Sequence, residues 1–202
     1  MKQELKRVCV FCGSSSGKSA EYTEAAIALA RELVKQNIVL VYGAGNVGLM
    51  GEIADTVLAE GGEVIGVIPK FLVKKEVAHK NLSELHVVES MHERKALMSE
   101  LSDGFIALPG GIGTFEELFE VLTWQQLGVQ AKPCGLINTS EYFDHLLNLL
   151  EHAVNEKFLK PFHRDMLLVA DNAQQILEKL KHYEPALTDK WIDKKHQSTN
   201  VL

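Results

Sequence analysis

The feature that most constrains the fold of this chain is a strand, a glycine-rich turn and a helix in direct succession, FIALPGGIGTFEELFE at residues 105–120. The apolar run 105–108 predicts a buried strand, and apolar residues at three- and four-residue spacing from Phe115 to Leu122 predict a helix. Between them, Pro109 ends the strand, and the glycines of PGGIGT leave the backbone amides uncovered. Because the first amides of a helix lack partners and carry the positive end of its dipole, the turn favours binding of an anion such as a phosphate.

Two adjacent glutamates follow the turn and can be interpreted in two ways. Thr114 and Glu117 match a capping box with Thr114 as N-cap, in which case Glu116 and Glu117 only complement the helix dipole. A carboxylate close to a bound phosphate is costly, however, so a phosphate-binding turn favours a chemical role for one of them. Successive helical side chains diverge by about 100°, so we expect at most one to face the ligand. Glu117 is the better candidate, because its side chain leans back toward Gly113 and Thr114.

Length and charge limit the classes of protein that this chain can belong to. Its 202 residues predict one α/β domain with a sizeable core, at residues 1–184, followed by a polar tail at 185–202. The net charge of -6 and the absence of any Lys and Arg run argue against a nucleic-acid partner. The longest apolar segments have the length of a strand, so we expect no targeting or membrane-spanning segment and a cytoplasmic location.

The cysteines and histidines do not predict a metal or redox site. Three cysteines do not make a disulfide framework, and Cys9 and Cys12, although spaced as C-x-x-C, lie within an apolar run. We therefore expect buried, unreactive thiols. The histidines are scattered without ligand spacing, so the sequence predicts no metal and no cofactor.

Strands and helices alternate along the chain without a long linker or an internal repeat. This order predicts a Rossmann-like α/β fold, a doubly wound parallel sheet with helices on both faces. The predicted strands are 8–12, 38–42, 64–68, 86–89, 105–108, 134–137 and 166–170. The predicted helices are 20–35, one through 53–58, 90–101, the helix after the PGGIGT turn, 142–156 and 173–182.

Two further glycine-rich turns follow predicted strands, and neither fully matches a known nucleotide motif. Residues 13–19 are one residue short of a P-loop. The GAGNVG turn at residues 43–48 matches the dinucleotide fingerprint but follows the second strand, and no acidic residue ends the next strand, so NAD is a poor candidate. Close packing explains Gly48 and Gly51 as well as ligand contact does. Together, the three turns at the carboxyl ends of parallel strands outline one crevice for a nucleotide.

A second segment with chemical potential is SMHERKALM at residues 90–98. Ser90 and Glu93 form a capping box, which predicts that a helix begins here. Arg94 and Lys95 then oppose the helix dipole by roughly 0.3–1 kcal/mol unless a ligand or a carboxylate compensates. The alternative is a solvated pair, but Arg94 offers a planar fork suited to a carboxylate or to sugar hydroxyls, which favours a functional role.

The paired motifs MHERK and PGGIGTFEE resemble those of the Lonely Guy family of cytokinin-activating enzymes, which older descriptions often call lysine decarboxylases. The resemblance extends from the first strand to about Ala170. It implies a Rossmann-like dimer that hydrolyses the N-glycosidic bond of adenine-type nucleoside 5′-monophosphates, such as cytokinin riboside 5′-monophosphate or AMP. The products are the free base and ribose 5-phosphate. The sequence offers no marker of a Schiff-base lysine or a pyridoxal phosphate site, which a decarboxylase would need.

The resemblance also implies roles for particular residues. Arg94 and Glu117 are the implied catalytic pair, and further substrate contacts are implied for Glu76, Lys95 and Thr123. The remaining implied contacts belong to the turn and the start of its helix, namely Gly110, Gly111, Ile112, Gly113, Thr114, Phe115 and Glu116.

The chemistry of the residues agrees with this assignment and leaves other functions open. Cleavage of a ribosyl bond passes through an oxocarbenium-like sugar, which a carboxylate such as Glu117 can stabilise or supply with activated water. A non-catalytic nucleotide carrier or sensor, or a transferase with an acceptor other than water, would use the same crevice. The apolar stripe Phe119, Trp124 and Leu127 fits either a homodimer interface or buried core.

Overall fold

The computed structural model of the protein describes residues 4–73 and 78–185. Its strands are β1 Arg7–Phe11, β2 Val39–Tyr42, β3 Val64–Pro69, β4 Glu84–Val88, β5 Gly104–Ala107, β6 Cys134–Ile137 and β7 Leu167–Ala170. Its α-helices are α1 Ala20–Lys35, α2 Gly48–Ala59, α3 Met91–Glu100, α4 Ile112–Gln126, α5 Asp144–Asn155, α6 Pro161–Arg164 and α7 Ala173–Lys181. Glu76 and most of the predicted polar tail lie outside the described residues.

The seven strands form one sheet in the order β4-β3-β2-β1-β5-β6-β7, and every pairing is parallel. The chain starts at the centre, winds outward through β2, β3 and β4, and then returns to the other side of β1 with β5. This confirms the predicted doubly wound sheet. The loops after β1 and β5 leave the sheet in opposite directions, and the carboxyl ends of these two strands are where such folds bind ligands.

Two apolar cores cover the two faces of the sheet, as predicted. One contains the buried faces of α1, α2 and α7, with Leu29, Ile53 and Ile176 fully buried. The other contains those of α3, α4 and α5, with Met98 and Leu118 buried against the opposite face. Because the central strands are covered on both sides, they are continuous apolar runs without alternation.

Most predicted elements agree with the structure to within two residues at each end, and their caps explain why. Ser19 and Ser90 are the N-caps of α1 and α3, where their side chains accept hydrogen bonds from the amides of Glu21 and Glu93. The Glu93 carboxylate accepts the amide of Glu89 at 2.9 Å. The short helix α6 and a single 3-10 turn, Thr139–Glu141, were not predicted, because neither is long enough to show apolar periodicity.

The predicted capping box of α4 is wrong. The helix begins at Ile112 with Gly111 as N-cap and without a side-chain cap, so Thr114 is its third residue. Glycine is itself an acceptable N-cap, and here tertiary packing decides. Thr114 is buried with its hydroxyl against Gly110, where an added Cβ would lie 2.1 Å from Oγ1. The Tyr142 hydroxyl also donates a hydrogen bond to the Gly110 carbonyl.

All three cysteines are free and buried, which confirms the prediction for Cys9, Cys12 and Cys134. Burial raises the pKa of each thiol well above its ordinary value, so the thiols stay protonated near neutral pH. Across residues 4–73 and 78–185, none of the helices combines the length and the apolar character needed to cross a membrane.

Candidate active site

A cleft of about 290 Å³ opens at the carboxyl edge of the sheet. It lies between the loop after β1, the start of α2 and the starts of α3 and α4. The predicted crevice is therefore present. Its lining consists of Cys12, Gly13, Ser14, Met50, Leu72, Met91, Arg94, Gly111, Ile112, Gly113, Thr114, Glu116 and Glu117.

The PGGIGT turn presents the open start of α4 to this cleft. The first intrahelical hydrogen bond runs from the Phe115 amide to the Gly111 carbonyl at 3.1 Å, so the preceding amides have no partner within the helix. A Cβ added to Gly111 or Gly113 would meet nothing within 4 Å. Because protein packing does not require glycine at either position, both leave space through which an anion can approach the amides.

Arg94 also lines the cleft and is almost fully buried, with 5% of its surface exposed. Its Nη2 donates to the Gly43 carbonyl at 3.2 Å, and Nη1 contacts the Met91 sulfur at 3.8 Å. Among the described residues, the buried Nε has no hydrogen-bond partner. A buried, charged donor without a partner is costly, so this edge of the guanidinium is suited to a ligand oxygen.

Glu116 and Glu117 both line the cleft, so the expectation that at most one would face it is wrong. The cleft reaches around more than one side of the second turn of α4, which is why neighbouring side chains can both border it. Glu117 is partly buried, and after burial itself its negative charge is the second cause that raises the pKa of the Cys12 thiol. Cys12 directly follows β1 and lines the same cleft as Glu117, so the carboxylate lies in the cleft near the end of β1.

Lys95 is held by carboxylates and does not belong to the cleft lining. Its Nζ is 2.6 Å from Glu116 Oε1 and 2.9 Å from Glu120 Oε1, and 12% of its side chain is exposed. Burial opposes the charged form of Lys95, but the hydrogen bonds to the two glutamates outweigh it, so the pKa is raised. The two carboxylates therefore compensate the unfavourable interaction of the Lys95 charge with the dipole at the start of α3. Glu120 was missed, although its spacing of four residues from Glu116 puts both on one helix side.

Three other residues implied as substrate contacts lie away from this cleft. Thr123 is exposed and its hydroxyl donates to the Phe119 carbonyl at 2.7 Å, in a separate groove between α4, α5 and α6. Phe115 stacks near Tyr142, with ring centroids 6.5 Å apart. Gly110 borders a neighbouring cavity of about 210 Å³, formed with the loop after β1 and with Tyr142.

The apolar part of the lining was also missed by the sequence analysis. Met50, Leu72 and Met91 come from three separate segments, and although Met91 belongs to the MHERK motif, its sequence context assigns it no role. They give the cleft an apolar wall beside the open amides and the arginine. Among the described residues, no group of three or more His, Cys, Asp or Glu side chains is arranged to hold a metal ion.

The fold and the cleft define the class of the protein. It is a Rossmann-like α/β protein with an open helix start, a buried arginine and two carboxylates at the point where its doubly wound sheet reverses direction. The family model described as "possible lysine decarboxylase" matches residues 50–180. The chain belongs to this family, which confirms the resemblance to the Lonely Guy proteins.

Relatives of known name cover most of the chain. Cytokinin riboside 5′-monophosphate phosphoribohydrolase LOG7 of Arabidopsis thaliana is 50% identical over 184 residues, which are 91% of this chain and 85% of that protein. The probable cytokinin riboside 5′-monophosphate phosphoribohydrolase LOGL9 of Oryza sativa subsp. japonica is 50% identical over 184 residues, 91% of this chain and 81% of its own length.

Solved structures share the fold at lower identity. The molybdenum cofactor binding protein of Rippkaea orientalis superposes with a TM-score of 0.66 at 21% identity, covering 88% of this chain and 96% of that one. The Moco carrier protein of Chlamydomonas reinhardtii gives a TM-score of 0.64 at 18% identity, covering 88% and 96%. At this identity the likeness concerns the fold alone.

Proposed function

We propose that this protein hydrolyses the N-glycosidic bond of adenine-type nucleoside 5′-monophosphates, cytokinin riboside 5′-monophosphates and AMP among them. The products are the free base and ribose 5-phosphate. The observation that carries this proposal is the shared cleft, where the open glycines of the PGGIGT turn face the same space as buried Arg94 and the carboxylate of Glu117. The names of relatives with half of their residues identical support it.

The substrate phosphate is assigned to the start of α4. Its charge is complementary to the helix dipole and to the amides beside Gly111 and Gly113. The purine is assigned to the apolar wall formed by Met50, Leu72 and Met91. This orientation leaves the ribose between the two sites, beside the two proposed catalytic side chains.

Glu117 and Arg94 divide the chemistry. As the glycosidic bond breaks, positive charge develops on the sugar, and the Glu117 carboxylate either stabilises that charge or deprotonates the attacking water. Arg94 orients the sugar hydroxyls or the carboxylate, since its buried Nε is available for a further hydrogen bond. Holding the phosphate at a fixed point makes the reaction effectively intramolecular.

The activity in the family description, lysine decarboxylation, fits this site poorly. A lysine that forms a Schiff base needs a lowered pKa so that its amine is neutral. Lys95, next to the cleft, has a raised pKa because Glu116 and Glu120 hold its ammonium group. We therefore assign Lys95 to the support of Glu116.

We also propose a homodimer formed through the exposed side of α4 and α5. Phe119, Leu127 and Leu149 are 36%, 43% and 60% exposed there, and Thr123 lies among them. Trp124, by contrast, packs partly buried against the core. Light scattering after size-exclusion chromatography should give twice the monomer mass, and Phe119→Glu should halve it. The cytoplasmic location and the lack of a nucleic-acid partner stay predictions from the sequence.

One experiment tests the activity and separates the alternatives. The protein is incubated with AMP and with isoprenoid-adenosine monophosphate, and free base is quantified by chromatography. Release of base without an added acceptor supports the hydrolase. Binding without release would indicate a carrier or sensor, and release only with an acceptor would indicate a transferase.

Variants of the proposed pair complete that test. Glu117→Gln keeps the shape of the side chain but cannot act as a base or balance charge, so turnover should fall about 100-fold or more without a change in melting temperature. Arg94→Ala should give a similar loss, and the double variant should be little worse than either single one. Full turnover by Glu117→Gln would transfer the catalytic role to Glu116 or Glu76.

A further inference from the structure

Gly43 directly follows β2, at the edge of the sheet that borders the cleft, and it is buried. It is the first glycine of the GAGNVG turn, which by sequence resembles a dinucleotide-binding motif. In the structure, its immediate neighbour is the guanidinium of Arg94, a residue that lies 51 positions later in the chain. The two meet because β2 ends beside the start of α3.

The space next to Gly43 is completely taken by the arginine. A Cβ added at this position would lie 1.8 Å from Arg94 Nη2, 3.0 Å from Cζ and 3.5 Å from Nε. No side chain can coexist with the guanidinium in its present position. Because the clashing atoms are at the end of a flexible side chain, an added Cβ would displace the arginine and leave the backbone largely intact.

A hydrogen bond to the Gly43 backbone also holds the Arg94 guanidinium in place. Arg94 Nη2 donates to the carbonyl oxygen of Gly43 at 3.2 Å, and both partners are buried. Hydrogen bonds from a charged donor in a buried site are stronger and better oriented than neutral ones. The glycine thus supplies an acceptor as well as empty space.

The other glycines of the turn have different neighbours, so the contact with Arg94 is specific to position 43. A Cβ on Gly45 would meet Met50 Cε at 2.5 Å, and one on Gly48 would meet the Ser14 carbonyl carbon at 2.3 Å. Protein atoms occupy the space beside all three glycines, including Gly45, whose counterpart in the dinucleotide motif lets the backbone approach the pyrophosphate.

We propose that Gly43 is a positioning residue for Arg94, because its missing side chain leaves the space that the guanidinium fills and its carbonyl oxygen fixes Nη2 in the cleft. This inference rests on the proposed role of Arg94 in substrate turnover. The glycine acts only through the arginine and does not contact the substrate.

The test is a double-mutant cycle with Gly43→Ala, Arg94→Ala and the combined variant. With AMP as substrate, Gly43→Ala should lower kcat about 30- to 100-fold, the scale expected when a catalytic group is misplaced by about an ångström. In the Arg94→Ala background the same substitution should have no further effect. A Gly43→Ala enzyme with full kcat, or equal losses in both backgrounds, would overturn the proposal.

Thermal melts and AMP titrations of the same proteins do not require turnover. Gly43→Ala should lower the melting temperature by about 2–4 °C in the presence of Arg94 and leave it unchanged in Arg94→Ala, where the space is empty. Calorimetry should show weaker AMP binding only when Arg94 is present. If wild type cleaves no nucleotide, the proposed function fails, and these two measurements alone decide the positioning role. Equal melting shifts in both backgrounds would overturn it.

Gly104→Ala provides the matched control. Gly104 is a buried strand glycine at the start of β5, and an added Cβ would be 3.3 Å from Leu5 and 3.4 Å from Pro133, without any contact to the cleft. It should keep wild-type kcat. A loss of activity in this variant equal to that of Gly43→Ala would contradict the proposal, since any strand glycine would then have the same effect.

Discussion

Two glycine-rich turns of this protein follow β2 and β5, the strands on either side of β1, and their glycines have opposite surroundings. The GAGNVG turn after β2 matches a nucleotide-binding motif. However, the space beside its glycines is occupied by Arg94, Met50 and the Ser14 backbone. The PGGIGT turn after β5 does not match that motif. Its Gly111 and Gly113 have open space where a Cβ would be.

The difference shows that the role of a glycine can be inferred from what occupies the space where a side chain would be. In the first turn, protein atoms need that space, so the glycines bring elements of the fold together. In the second turn, Thr114 packs against Gly110, but nothing within the described structure needs the space beside Gly111 and Gly113, and we propose that glycine at these two positions gives access to a ligand. The two turns nevertheless meet at one site, since Gly43 contacts Arg94 and both Arg94 and Gly111 line the cleft.

The largest expected effect comes from removing the group that the open turn is proposed to bind. Adenosine lacks the 5′-phosphate of AMP and should be turned over about 1000-fold more slowly, because a set of charge-assisted contacts worth about 4 kcal/mol is lost. Initial rates with both compounds at equal concentration provide the measurement. Comparable rates would show that the open turn does not bind phosphate and would remove the main difference between the two turns.

Substitution of Gly48 in the packed turn, unlike that of Gly43, should mainly reduce stability. Gly48 has a positive φ of 58°, and its added Cβ would lie 2.3 Å from the backbone of Ser14. Gly48→Ala should therefore cost about 3 kcal/mol from strain and overpacking, and lower the melting temperature by about 10 °C. Calorimetric melts measure this. An unchanged melting temperature would mean that this glycine is not required for packing.

The equivalent substitution in the open turn should reduce binding and spare stability. Gly113→Ala adds a methyl group within the first turn of α4, where alanine is the better helix former, so the free energy of unfolding should stay equal or rise by about 0.5 kcal/mol. The methyl group would partly cover the amides, and KM for AMP should rise about tenfold. Steady-state kinetics and thermal melts on one preparation test both parts. A destabilised protein with a normal KM would show that the glycines of PGGIGT, like those of GAGNVG, serve packing and not ligand access.

The smallest effect concerns the carboxylates beside the open turn. Glu120→Gln removes one charged partner of Lys95 and should cost about 0.5–1 kcal/mol, since the pair is partly solvated. The raised pKa of Lys95 means that this contribution is present below the pKa of an unfolded lysine and is lost as the pH rises through the folded value. Melts between pH 7 and pH 9 should thus show a constant difference from wild type. A difference that disappears within this range would contradict the assignment.

The sequence by itself determined the order of the elements and the edge of the sheet that carries the site. Apolar runs and helical periodicity act over a few residues, and a parallel sheet brings the carboxyl ends of its strands to one edge. For that reason the doubly wound fold and the crevice could be predicted, whereas the meeting of Arg94 with the start of α4 was implied by the resemblance to the Lonely Guy family. Ser90 as a helix cap was also predictable, because the cap and the Glu93 amide that donates to it are neighbours in sequence.

Only the tertiary structure decided how space is shared at that edge. The N-cap of α4 is Gly111 and not Thr114, the residue that the local capping-box pattern favoured. Packing of Thr114 against Gly110 overrides that local preference. The contact of Gly43 with Arg94 joins residues 51 positions apart. Local rules contain no information about such distances, since which atoms fill the place beside a glycine depends on how whole elements pack.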